Sequence, residues 1–488
     1  MRKQSDKSRH VRRALLVTAA LAFCGQAPAQ EIDIDFDLDF NVGVEPEVQV
    51  LTRGPVHEAF AEPVTFDPEP GVIVPRAPGD LIDEVPPEQR PDGNHVAWIP
   101  GYWAWDDERR DFLWLSGIWR SVPPGRQWVS GYWRPSGGGF QWVSGYWADA
   151  DFEEIDYLPQ PPDPIEEVVA TAPSPETVWV PGVWVWHHGT YAWRPGYWAQ
   201  LRPDWTWVPA HYVWSPRGYV FVDGYWDYVV ARRGVLFAPV YFEPAVVARR
   251  VSFYSPRVAI NLSLFDDHLF VRPHYHHYYF GDYYADRYVD IGFHPSFSFH
   301  MHKHGYDPIY AHRRWYHRHE PDWERRVEAH YRYRRENERA RPPRTLSAMM
   351  ELRSRRDDPD ARGLFVATSI DRMAKRPAST VRFRKVESDE ARQIKETVQV
   401  TRKSREERRE MEDRDVRVSP ERTPIERVEP VRAKVPKSQI VRKRDREDDD
   451  DKSPPKRQTA PPPDTSVKPK PKKPKTEKSK ERKDKDDE

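Results

Sequence analysis

A chain of 488 residues has the length of about three ordinary domains. Its 49 prolines and 32% charged residues exclude one apolar core running from end to end. Eighteen of the twenty tryptophans fall between Trp98 and Trp226, which places the packed part in the middle, and a formal net charge of +0 conceals an acidic stretch after Gln30 and a lysine-rich end.

Residues 1–29 read as a signal peptide. Lys3, Lys7, Arg9, Arg12 and Arg13 precede an apolar run, Ala14 to Phe23, that is too short to span a bilayer. Ala27-Pro28-Ala29 supplies an A-x-A site, so cleavage is expected after Ala29. The single cysteine, Cys24, lies upstream of the cut. A lipoprotein reading would acylate it, but Phe23 stands where such a site requires a small residue. The mature chain then has no cysteine, which excludes disulfides and thiolate chemistry. No later segment reaches roughly eighteen consecutive apolar residues, so the mature chain is expected to be soluble or peripheral, with no transmembrane segment.

Residues 30–93 form an acidic, Pro-rich linker on this reading, with one strand in it. From Glu31 to Phe40, Ile32, Ile34, Phe36, Leu38 and Phe40 alternate with Asp33, Asp35, Asp37 and Asp39. Period two gives a strand with one acidic face, either a solvated surface or a calcium-binding row; the solvated surface is the plainer reading.

Residues 94–230 repeat the motif W-x-x-G-x-W. The complete copies are Trp98-Gly101-Trp103, Trp114-Gly117-Trp119, Trp128-Gly131-Trp133, Trp142-Gly145-Trp147, Trp179-Gly182-Trp184 and Trp193-Gly196-Trp198. Two degenerate copies follow, Trp207-Ala210-Tyr212 and Phe221-Gly224-Trp226. Most intervals are fourteen residues, in two blocks separated by the Pro-rich run Tyr157 to Pro164. A fixed period marks units that cannot bury their apolar faces alone. The local pattern is β, with turn residues at Pro135 to Gly139, His188-Gly189 and Ser215 to Gly218.

A turn at the motif glycine would pair the two aromatic ends of one copy. Pro100, Pro181, Pro195 and Pro209 precede this position, and proline cannot adopt the positive φ of the favoured hairpin turns. The residues instead predict strands of about eight to ten residues, kinked at glycine and joined into an antiparallel meander. A β-branched residue at Gly196 is expected to strain such a kink. The tryptophans are read as core, the alternative being a row that stacks on sugar rings.

Residues 231–345 are rich in aromatics and hold twelve of the eighteen histidines, from His268 to His330. Val235 to Phe242 and Leu269 to Val271 read as short buried strands in an irregular β region. His300, His302 and His304 alternate, which on a strand puts three imidazoles on one face, and His274, His276 and His277 form a second cluster. Three imidazoles are a candidate Zn, Cu or Ni site. The plainer reading is polar aromatic surface, since H-E-x-x-H is absent. Residues 346–488 form a charged tail with short helices at Ser347 to Leu352 and Glu390 to Arg409, disordered from about 417. Lys468 to Lys475 is a basic, Pro-interrupted run.

No nucleophile elbow, phosphate-cradling glycine loop or dinucleotide fingerprint is present, so no catalytic residue and no cofactor is expected. The motifs Trp128 to Trp133 and Trp193 to Trp198 resemble the YXWGXW (W-x-x-G-x-W) repeat of exported bacterial proteins. Arg233 to Phe242, His268 to His274 and Tyr278 to Tyr284 resemble the larger planctomycete-type members. The resemblance covers about 94 to 345. It implies export and a β-rich repeat region, and transfers no catalytic residue. The expected function is a non-enzymatic exported protein of the periplasm, envelope or cell surface with a structural or interaction role. The alternatives are binding of carbohydrate or envelope polymers through exposed Trp, and metal handling by the histidines of 268–319. Export turns the basic tail from nucleic acid towards anionic envelope polymers or another envelope protein.

Overall fold

Two consecutive W-x-x-G-x-W motifs make one structural unit, a long antiparallel hairpin interrupted at its glycines. The computed structural model describes residues 48–248, 254–301, 305–354, 363–376, 381–414, 430–434, 437–443, 455 and 458–468. The expected signal peptide with Cys24, the alternating strand from Glu31 to Phe40, His302, His304 and the basic run after Lys468 lie outside those residues.

In the first hairpin, Val96–Ile99 and Tyr102–Asp106 run out, and Asp111–Leu115 and Ile118–Ser121 return. Trp98 therefore faces Trp119, and Trp103 faces Trp114. The second hairpin pairs Trp128 with Trp147 and Trp133 with Trp142. The third pairs Trp179 with Trp198 and Trp184 with Trp193, and the fourth pairs Trp207 with Trp226 and Tyr212 with Phe221. All eight ring pairs have centroids 5.1–5.5 Å apart and tilted or edge-on planes, the favoured arrangement for aromatic quadrupoles. Each motif thus pairs with its neighbour and not with itself, as the prolines predict.

Three of the four hairpin tips fall at the expected turns. His188 (φ 50°) and Gly189 (φ 82°) are both left-handed, the geometry of a two-residue type I′ turn. Two-residue links of different geometry, Gly137-Gly138 and Pro216-Arg217, close the second and fourth hairpins, with positive φ at Gly138 alone. The first tip, between Asp106 and Asp111, is two residues longer, which lengthens the first motif interval.

The fold is mainly β and antiparallel, divided among small sheets that borrow edge strands from distant segments. Residues 48–93 behave differently from the linker expected of them. Val48–Val50 pairs with Val240–Phe242, Gly54–Pro55 with His277–Phe280, and Ile73–Val74 with the second hairpin. Val56 and Phe60 are fully buried. The bulk Pro and Glu content conceals short apolar pieces, each long enough to complete one edge.

The aromatic region contains its expected strands, Gly234–Val235, Val240–Phe242 and Leu269–Arg272, but also helices at Pro308–Tyr316 and Trp323–Glu336. Asp307 caps the first of these by accepting the N–H of Tyr310, with Pro308 at the first helical position. In the charged tail, the expected second helix spans Ser388–Asp413 and buries Arg408 and Glu412. Val431–Lys434 and Val441–Arg442 pair with Glu154–Leu158 and the second hairpin. One apolar cluster joins Val56, Ile118, Trp147, Leu269, Leu346 and Ile440.

The motif glycines do not have the left-handed backbone that would explain them by conformation. Space explains them instead. A Cβ at any of Gly101, Gly117, Gly131, Gly145, Gly182, Gly196 or Gly224 would lie closer than 3.0 Å to Cζ2 of the first Trp in the partner motif. The indole of one motif lies on the glycine of the other. In the fourth hairpin the one alanine, Ala210, stands at the position whose partner is the smaller Phe221. Gly224→Ala is therefore expected to cost about 1–3 kcal/mol through overpacking against Trp207. Adding Trp207→Phe should recover part of that loss, and chemical denaturation of the double-mutant cycle measures the coupling. Simple additivity would separate the glycine from the indole.

Candidate functional site

The strand ladder of each hairpin stops for two residues on each strand. In the first hairpin, pairing ends at Ile99–Ile118 and resumes at Tyr102–Leu115, leaving Pro100-Gly101 opposite Ser116-Gly117. The same gap separates Val129–Tyr146 from Tyr132–Val143, and Val180–Tyr197 from Val183–Arg194. Proline is tolerated before the glycine because that position has no ladder bond to donate. In a trans peptide the glycine N–H and the preceding carbonyl point in opposite directions. Each break therefore presents donors on one face and acceptors on the other, and buried peptide groups require partners.

On the donor face the partner is a carboxylate. In the first hairpin, Gly117 and Gly101 donate to Oε2 of Glu84 at 2.8 and 3.3 Å, and the Trp114 indole donates to Oε1 at 3.3 Å. In the second, Gly145 donates to Glu58 at 2.9 Å and the Trp142 indole at 2.7 Å. In the third, Gly182 donates to Glu167 at 3.2 Å, Gly196 at 2.9 Å and the Trp193 indole at 2.9 Å. The donating indole is always the first Trp of the returning motif. Such a hydrogen bond contributes about 0.5–1.5 kcal/mol when the acid is neutral and about 1.5–3 kcal/mol when it is charged. The fourth hairpin has Phe221 at that position and, among the described residues, takes no distant glutamate; Gly224 donates to the adjacent Asp223 at 2.8 Å.

On the acceptor face the second hairpin receives a cation. Nη1 of Arg408 donates to the carbonyls of Ser130 and Ser144 at 2.9 and 3.0 Å. Its Nε donates to Glu412 at 2.9 Å, and Tyr132 and Tyr157 also donate to Glu412. The guanidinium lies 5.3 and 5.1 Å from the ring centroids of Tyr132 and Tyr146. In the first hairpin the Pro100 carbonyl accepts from Nε2 of His57 at 3.2 Å, while Nδ1 of His57 accepts the N–H of Ala59. This arrangement fixes a neutral tautomer, and burial pushes the His57 pKa down to about 3. His57 and Glu58 are consecutive, so one dipeptide fills the slot between the first two hairpins. Arg120 and Arg233 hold it in place by donating to the carbonyls of Ala59 and Phe60 at 2.7 and 2.8 Å, and both pair with Asp227.

None of the three glutamates was legible as a site residue in the sequence. The signal was indirect: Glu84 and Glu167 precede the first glycine of their hairpins by similar intervals, while Glu58 lies far upstream.

Among the described residues the histidines do not converge. His300 lies on the helix Ser296–Met301 rather than on a strand, and His302 and His304 lie outside the described residues. Its Nδ1 accepts the N–H of Asp307 at 3.2 Å, and burial pushes its pKa down to about 4. His274 pairs with the Glu69 carboxylate, His276 with the Glu69 carbonyl, and His277 with the Tyr102 hydroxyl. Among the described residues no cluster of three or more His, Cys, Asp or Glu is arranged to hold a metal.

Burial, opposed by the N–H groups of Gly117, Trp114 and Gly101, pushes the Glu84 carboxyl up to about 7 from 4.5. A raised folded-state pKa contributes stability that is complete below pH 4.5 and lost as pH rises through 7. Relative to Glu84→Gln, the wild-type chain should lose on the order of 3 kcal/mol between these limits, at 1.36 kcal/mol per unit. Urea denaturation of both proteins across this range measures the difference. A constant difference would contradict the titration.

Residues 96–120, 178–199 and 202–227 match the profile described as the WXXGXW repeat (2 copies). Each match coincides with one hairpin, so the two-copy unit of the profile is the structural unit. The second hairpin, outside the matches, carries the same motif pair. No curated protein and no solved structure matches the chain. Residues 96–227 of this chain thus carry repeats of the WXXGXW family.

Proposed function

We propose that this protein is a non-enzymatic, exported envelope or surface protein whose Trp hairpins form a scaffold. The observation that carries the reading is the fate of the repeat tryptophans. Of the eighteen between Trp98 and Trp226, thirteen are buried, five are half-buried and none is exposed. Rings that form the core are not available as a continuous row for stacking on sugars. The carboxylate and guanidinium partners of the breaks are likewise consumed in holding segments together.

Binding of carbohydrate or an envelope polymer is the second reading. Four of the five half-buried rings, Trp179, Trp186, Trp198 and Trp214, belong to the third and fourth hairpins, which concentrates any accessible aromatic surface there. The presence of no helix long and apolar enough to cross a membrane among the described residues is compatible with either reading.

Export is tested on the native protein. Fractionation followed by N-terminal sequencing should recover a chain beginning at Gln30 in the envelope or secreted fraction. An uncleaved chain in the cytoplasm would overturn the reading, and a chain beginning at Cys24 would replace a soluble protein with a lipid-anchored one.

A further inference from the structure

The four hairpins associate in two similar pairs. The Trp133 indole donates to the Trp103 carbonyl at 2.8 Å, joining the second hairpin to the first. At the equivalent place, the Tyr212 hydroxyl donates to the Trp184 carbonyl at 2.9 Å, joining the fourth to the third. Between the first pair lies His57-Glu58, with His57 on the acceptor face of one hairpin and Glu58 on the donor face of the other. Between the second pair lies an open cleft of about 280 Å³. A water needs only about 10–15 Å³ of such space. The cleft walls include Pro181 and Pro195 of the third hairpin, and Trp207, Ala210 and Gly224 of the fourth. By motif position these are the counterparts of Pro100, Ser116, Trp128, Gly131 and Gly145, of which Pro100 bonds His57 and Gly145 bonds Glu58.

The chemistry of the cleft departs from the filled slot at several positions, and two of the departures compensate each other. Phe221 stands where Trp142 supplies the indole donor to Glu58. Arg194 stands where the first hairpin has Leu115, and its guanidinium lies 5.9 Å from the Phe221 ring. A cation thus replaces the missing donor. Arg194 Nε and Trp207 Nε1 are buried and have no hydrogen-bond partner among the described residues. Trp207 is 3% exposed. Asp223 rests its carboxylate on Gly224 and lies 3.5 Å from Arg194, so a local carboxylate already marks the donor set. Ala460 to Pro463 border the cleft, and the adjacent Asp464 N–H is held by the Trp193 carbonyl at 2.6 Å.

We propose that this cleft is a binding site for a glutamate side chain on an extended peptide segment of a partner protein, received as the filled slot receives Glu58. The carboxylate displaces Asp223 from the amide of Gly224 and pairs with Arg194, while the peptide backbone runs between the Pro181–Pro195 wall and Trp207. This assigns a partner chemistry to the scaffold and is independent of where the protein resides.

The probe is a synthetic peptide with the sequence of Pro55 to Pro63, Pro-Val-His-Glu-Ala-Phe-Ala-Glu-Pro, titrated calorimetrically into the full-length protein. Saturable one-to-one binding is expected. Replacing its first Glu by Gln should weaken binding at least tenfold, and so should Arg194→Leu, which copies the first hairpin. Asp223→Ser, which copies Ser144 and removes the competing carboxylate, should tighten binding. The peptide substitution requires no change in the protein, so its result stands even if a variant folds poorly. Absence of saturable binding would overturn the proposal, as would equal affinity for the Glu and Gln peptides. Binding of an oligouronate but not the peptide would also overturn it, in favour of an acidic polysaccharide.

Discussion

The structure depends on four short gaps in β-ladders. At each W-x-x-G-x-W pair, two peptide units on facing strands leave the ladder together, turning N–H groups to one face and carbonyls to the other. Buried groups of this kind each cost about 1–3 kcal/mol if unpaired. Glu84, Glu58 and Glu167 answer the donors of three hairpins, and Arg408 and His57 answer acceptors of two. The gaps thereby turn a local irregularity into a demand for residues from elsewhere in the chain. They explain why segments far apart in sequence, 56–61 and 388–413, end in the same core.

The glycine and the tryptophan of the motif are two halves of one requirement. The indole lies over the partner glycine, and there its N–H stands beside the glycine amides to share one carboxylate. A side chain at the glycine would displace the ring, and loss of the indole would remove a donor. The fourth hairpin relaxes both together, with Ala210 and Phe221, and its Gly224 donates to the adjacent Asp223 in place of a glutamate among the described residues.

The hairpins were legible in the sequence because their signals are local. Pro before Gly excluded a turn at the motif, His188-Gly189 and Ser215 to Gly218 announced the tips, and period fourteen announced the unit. What could not be read was which neighbouring motif pairs with which, because Trp114 has identical chemistry whether it faces Trp103 of the motif before or Trp133 of the motif after. The ligands of the breaks were also hidden. Beyond the similar spacing of Glu84 and Glu167 to their glycines, nothing distinguishes these two or Glu58 from the many other acids, since their role is set by burial against a hairpin. The same holds for Arg408 and Glu412, whose helix was visible as a charge-laced segment but whose docking was not. Of the alternating histidines only His300 falls in the described residues, and there it lies in the short helix Ser296–Met301 and accepts the N–H of Asp307, which in turn caps the next helix.

The central claim is that buried carboxylates hold the glycine amides of the breaks. With 24 glycines in the chain, selective ¹⁵N-glycine labelling makes those amides observable by hydrogen exchange and chemical shift. In the native protein Gly117, Gly145 and Gly196 should be protected and shifted downfield. Glu167→Gln should move Gly182 and Gly196 while leaving Gly117 and Gly145 in place. Exchange of these amides at solvent rates, or a Gly196 signal indifferent to Glu167, would contradict the account.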